Sequence, residues 1–93
     1  MIRKQKLTDK YVKKKLKVFI RDKFLLGDGS KVPNDDDSFL ERGVIDSTGV
    51  LELVSFIEET FNIRVEDEEL VPDNLDSLDN LTSYIKKKTG HVS

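Results

Sequence analysis

Gly43-Val44-Ile45-Asp46-Ser47-Thr48-Gly49-Val50-Leu51-Glu52-Leu53-Val54-Ser55-Phe56-Ile57-Glu58-Glu59-Thr60-Phe61-Asn62 reads as the end of a loop running into one amphipathic helix. Val50, Leu53, Val54, Ile57 and Phe61 recur at i, i+3, i+4, i+7 and i+11, a single apolar stripe at helical period. Thr48, Leu51, Glu52, Ser55, Glu58 and Glu59 fall outside that stripe. Asp46 and Ser47 are both N-cap types, so the helix starts at one or the other, and Asn62 ends it. Ser47 therefore stands at a helix N-terminus, where unpaired N–H groups and a partial positive charge favour a phosphate. Capping alone explains the same residue, because Asp-Ser at a helix start is commonplace.

Before this stretch, Val12, Leu16, Phe19, Ile20 and Phe24 repeat at helical spacing. Thr8 is the expected N-cap and Gly27 the stop, which predicts a helix over about residues 8–26. Residues 27–45 show no sustained period and are rich in Gly, Pro, Asn, Asp and Ser, so they form a long loop. Phe39, Leu40, Val44 and Ile45 are expected to pin its second half to the core. Asp35-Asp36-Asp37 lacks the alternating ligands, central Gly and closing Glu of a calcium loop. After Asn62, residues 66–70 allow a short helical turn, which Pro72 limits. A last helix is expected over residues 77–88, with Leu75 packing just before it and Leu78, Leu81 and Ile85 turned inward. The predicted class is all-α: three main helices, one short helix, and a long loop between the first and second main helices. No stretch reads as a paired strand, and residues 1–93 form one domain with its core at about 8–88.

Composition removes most other chemistry. Apolar and charged residues each make up 37% of the chain, a balance that suits a water-exposed domain with one modest core. No apolar run approaches the ~20 residues of a membrane span. The basic start has no apolar segment behind it, as a secretory signal requires. There is no cysteine, hence no disulfide, thiolate metal site or thiol nucleophile, which fits a reducing cytoplasm. With His91 as the single histidine, a Ser-His-Asp triad or a histidine metal site is not expected. No catalytic and no metal-ligating residue is assigned. Charge is segregated: residues 1–23 hold ten Lys or Arg against two Asp, and residues 28–79 hold sixteen acids against Lys31, Arg42 and Arg64. The basic segment raises nucleic-acid binding, and the acidic remainder argues against it.

The quoted stretch closely resembles the acyl carrier and peptidyl carrier protein family. The resemblance rests on Asp46-Ser47 opening an acidic helix, Glu52-Leu53-Val54 after it, and Glu58-Glu59 ahead of Phe61. Val65-Glu66-Asp67-Glu68-Glu69 and Leu78-Asp79-Asn80-Leu81-Thr82-Ser83-Tyr84-Ile85 resemble the family's later helices. The resemblance implies a non-catalytic carrier, with Ser47 taking 4'-phosphopantetheine from coenzyme A and Asp46 supporting that modification, through the modifying enzyme's magnesium ion. It implies a partner face made by Thr48, Leu51, Glu52, Ser55, Glu58 and Glu59. The implied partners are a phosphopantetheinyl transferase, an acyl- or aminoacyl-loading ligase and downstream synthase or transferase enzymes of fatty-acid, polyketide or nonribosomal-peptide metabolism. A cytoplasmic monomer that binds no nucleic acid is expected. The alternative is an unmodified helical interaction module of the same fold.

Two residues depart from the family pattern. Thr48 replaces the usual Leu after the serine, and Gly49 sits in the first turn, where it is expected to leave room beside the prosthetic arm. Together with the basic first helix, they look more like stand-alone aminoacyl, D-alanyl or secondary-metabolite carriers than housekeeping fatty-acid carriers.

Overall fold

Thr8 opens the first helix, α1 (Asp9–Phe24), by accepting the Tyr11 N–H at 3.1 Å on its side-chain oxygen. The computed structural model describes residues 8–90; His91 and the first seven residues lie outside it. Helix α1 ends two residues earlier than expected. Leu26 and Gly27 both take positive φ, and the Gly27 N–H turns back to the Arg21 carbonyl at 2.9 Å. Leu26 is left 97% exposed.

Helix α2 (Ser47–Phe61) ends as read, with Asn62 in the left-handed conformation that a short polar side chain tolerates. Helix α3 (Pro72–Leu75) corrects the expectation at Pro72. The proline begins a helix at its first position, where its fixed φ suits and its missing N–H costs nothing. The turn read at 66–70 is a separate 3-10 turn, Asp67–Glu69. Helix α4 (Leu78–Thr89) is capped by Ser77, which accepts the Asn80 N–H at 3.0 Å, and closed by Gly90. One further 3-10 turn, Gly29–Lys31, lies in the long loop, and no strand occurs among the described residues.

Pairings along α1 fix the bundle. Phe24 lies by Gly49 and the Phe19 ring stacks on Phe56 at 4.1 Å, so α1 runs antiparallel to α2. Lys86 bonds Asp9 and Lys13 meets Asp79 at 2.9 Å, so α1 also runs antiparallel to α4. Between the helices, Val12, Leu16, Ile20, Leu53, Ile57, Leu78, Leu81 and Ile85 are fully buried. Thr82, also buried, returns its hydroxyl to the Leu78 carbonyl at 2.7 Å.

The long loop is part of the core. Phe39 and Ile45 are buried, while Leu40 departs from expectation and stays 46% exposed. Asp76, just after α3, accepts the Leu40 N–H on its carboxylate at 3.0 Å and the Phe39 N–H on its carbonyl at 3.0 Å, and its carboxylate also takes the Ser38 hydroxyl. Those bonds hold Phe39 inward and turn the next residue out. Asp35 accepts Lys13 at 2.9 Å, and Lys13 holds its carboxyl below the usual range. Asp35, whose carbonyl also accepts the Asp79 N–H at 2.9 Å, is thus a strut between the loop and helices α1 and α4.

Candidate functional site

Asp46 is the N-cap of α2. Its Oδ1 accepts the Gly49 N–H at 2.7 Å, and its extended backbone hands Ser47 the first helical position. Capping therefore does not account for Ser47. The serine is exposed, and among the described residues no side-chain hydrogen bond engages its hydroxyl. The helix terminus supplies the surrounding positive potential.

Beside Ser47 lies an open cleft of about 230 Å³. Phe39 and Leu40 from the loop, Val50 from α2, and Leu70, Val71 and Leu75 around α3 line it, and Asp76 closes one side. Leu40, Leu70 and Val71 are exposed apolar side chains gathered at one place. Sequence reasoning missed them as site residues. The available signal was Leu70-Val71, an apolar pair ahead of Pro72 in an acidic segment.

The expected partner face is largely one surface. At about 100° per residue, Ser47, Leu51, Ser55, Thr48, Glu59 and Glu52 spread over roughly 140° of α2. All six are exposed, Leu51 at 60%. Glu58 differs. It is half-buried, and its Oε2 accepts the Val65 N–H at 2.9 Å, tying the segment after α2 back to the helix. Glu52 lies 3.3 Å from Lys23 of α1, in an ion pair open to solvent.

Gly49 also differs from expectation. It is buried, and a Cβ there would lie 2.9 Å from the Phe24 ring and 3.1 Å from Ile45. The missing side chain lets α1 approach α2 on the inner side, away from Ser47.

Glu69, after α2, is equally structural. Glu69 accepts the Glu66 N–H at 2.9 Å, Lys88 at 3.0 Å and the Tyr84 hydroxyl at 2.8 Å. These donors pull its carboxyl down to about 2, from an ordinary 4.5. Burial, then Glu69, pushes the Tyr84 hydroxyl above the usual tyrosine range. Among the described residues no group of three or more His, Cys, Asp or Glu is placed to hold a metal, and no helix is long and apolar enough to cross a membrane.

An exposed serine hydroxyl at a helix start, beside an apolar cleft, fits a phosphate-linked arm. The family model for the phosphopantetheine attachment site matches residues 25–85, from the end of α1 into α4. A search of curated proteins gives no match. Matched over more than half its length, the chain belongs to the phosphopantetheine attachment site family, whose covalent prosthetic group is phosphopantetheine.

Proposed function

We propose that this protein is a discrete carrier that holds acyl or aminoacyl groups as thioesters and presents them to partner enzymes. Ser47 Oγ provides the ester oxygen for 4'-phosphopantetheine. The observation that carries this reading is the transfer of capping to Asp46, which leaves the hydroxyl of Ser47 exposed at the helix terminus. When attached, the group supplies a terminal thiol, which a chain without cysteine lacks. The helix N-terminus steadies the phosphodiester's negative charge. Leu40, Val50, Leu70 and Val71 offer an apolar wall against which the proximal arm or its cargo can shed water.

Asp46 has a second role in this reading: the carboxylate oxygen not used for capping faces the modifying enzyme. The protein itself performs no chemistry on the cargo and works as a cytoplasmic monomer. Its partners are a phosphopantetheinyl transferase, a loading ligase for fatty-acyl, polyketide or aminoacyl cargo, and a downstream synthase or transferase. They dock on Thr48, Leu51, Glu52, Ser55 and Glu59, with Glu58 supporting that face from its edge. Acidic faces of this kind give fast, salt-sensitive association with basic surfaces.

The test is incubation with coenzyme A and a broad-specificity phosphopantetheinyl transferase, followed by intact mass and peptide mapping. The coenzyme-A-derived mass on the peptide holding Ser47 is expected. No gain of mass would instead favour the unmodified interaction module.

A further inference from the structure

The outward side of α1 carries an unusual ridge. Lys10, Lys14, Lys17, Val18 and Arg21 spread over roughly 100° of the helix, on the side opposite the buried Val12, Leu16 and Ile20. The ridge is about 17 Å long. Lys17 leans toward Asp35 at 3.6 Å and Arg21 binds its neighbour Asp22 at 2.9 Å. Lys10 and Lys14 have no carboxylate in ion-pair range among the described residues. Beside the ridge runs a groove of about 680 Å³, between α1 and α2. Tyr11, Val18, Phe19 and Phe56 form its floor, with Lys14 and Lys15 on its rim.

The chemistry of the ridge selects its partner. Protein interfaces favour Arg and aromatic anchors and are depleted in Lys, whereas this ridge is built mostly of Lys around one Val. Diffuse lysine charge on a convex helix suits a plane of anionic headgroups, which gathers Lys and Arg within a Debye length of its surface. Nucleic acid is the weaker match. The Phe19 face is already stacked on Phe56 and offers no platform for a base. The half-exposed Tyr11 and Val18 have a place at a headgroup boundary and none along a phosphate backbone. The acidic surface of α2 tolerates a plane that touches only the ridge.

We propose that the α1 ridge docks this protein peripherally on membranes rich in anionic lipid, through Lys10, Lys14, Lys17 and Arg21 with Tyr11 and Val18 at the interface. Ser47 lies on α2 outside the ridge, so docking leaves the arm's attachment point uncovered. The inference needs no modification of Ser47, and the unmodified full chain suffices to test it.

Flotation with vesicles of phosphatidylcholine, with and without about 30% phosphatidylglycerol, measures the partition at low and high salt. Binding is expected only with phosphatidylglycerol and is expected to fade as salt screens it. Lys10→Glu with Lys14→Glu should weaken the partition at least about tenfold. Arg42→Glu with Arg64→Glu, an equal charge change off the ridge, should leave it within about twofold. Circular dichroism establishes that both variants remain folded. No binding to the anionic vesicles, equal losses in the two variants, or retention by duplex DNA without vesicle binding would each overturn the proposal.

Discussion

Asp46 Oδ1 accepts the Gly49 N–H at 2.7 Å, so the capping bond and the adjacent free hydroxyl belong to different residues. Asn caps as well as Asp, which allows charge and capping to be separated. Asp46→Asn is expected to keep stability within about 0.5 kcal/mol, and Asp46→Ala to lose about 1 kcal/mol. If the carboxylate assists the transferase, the Asn variant is modified more slowly at unchanged stability. Urea midpoints read beside the rate of mass gain separate the two roles.

Ser47→Ala follows from the same bond. Because Ser47 is the first helical residue and not the cap, its loss should change stability by no more than about 0.5 kcal/mol. Modification should cease. A variant that still gains the coenzyme-A-derived mass would move the attachment site elsewhere.

Gly49→Ala sets two effects against each other. The helix gains about 0.5–1 kcal/mol in propensity, but the new methyl meets the Phe24 ring at 2.9 Å. Overpacking of this kind costs about 1–3 kcal/mol, so a net loss is expected. In a cycle with Phe24→Leu the two changes should couple, since the smaller side chain clears the contact. Independent, additive losses in thermal or urea unfolding would count against this packing role.

The main helices were legible because stripe and caps agree in each: Val12 to Phe24, Val50 to Phe61, and Leu78 to Ile85, started by Thr8, Asp46 and Ser77. Local chemistry alone did not decide between Asp46 and Ser47 as cap, since both types are suited to it. Features made by distant contacts were not legible. Asp76 reads as one more acid in an acidic run, yet it is the post that turns Phe39 in and Leu40 out. Glu58 lies off the apolar stripe, and only the fold brings Val65 to its carboxylate. The cleft beside Ser47 has the same origin: its wall comes from three separate segments.

Acid should loosen the α4 end of the bundle through Glu69. Its carboxyl is depressed to about 2 by Glu66, Lys88 and Tyr84, so the stability it contributes is present above about 4.5 and is lost as pH falls toward 2. Asp35 and Asp9, held low by Lys13 and Lys86, act in the same direction. Glu69→Gln should be less stable than the parent at neutral pH and show a shallower fall on acidification. Urea unfolding from pH 7 down to pH 2.5 measures both slopes, and parallel curves would deny Glu69 this part.

Docking on α2 is best tested through Glu52 and Glu59, because the structure sets Glu58 apart. Glu58→Lys removes the acceptor of the Val65 N–H and should destabilise the fold by about 1.5–3 kcal/mol, confounding any rate measured with it. Glu52→Lys loses only the solvent-exposed pair with Lys23, and such pairs contribute at most about 1 kcal/mol. Glu59 is exposed with no ion pair among the described residues. Glu52→Lys with Glu59→Lys should therefore leave thermal unfolding nearly unchanged while slowing association with the loading enzyme. The difference from the parent should be widest at low salt and narrow as salt rises, since screening weakens the native attraction too. Loading kinetics at two ionic strengths, parent against variant, measure it. Equal rates at low salt would remove the acidic face of α2 as the electrostatic contact and leave the apolar rim of Leu40, Leu51 and Val71 to do the docking.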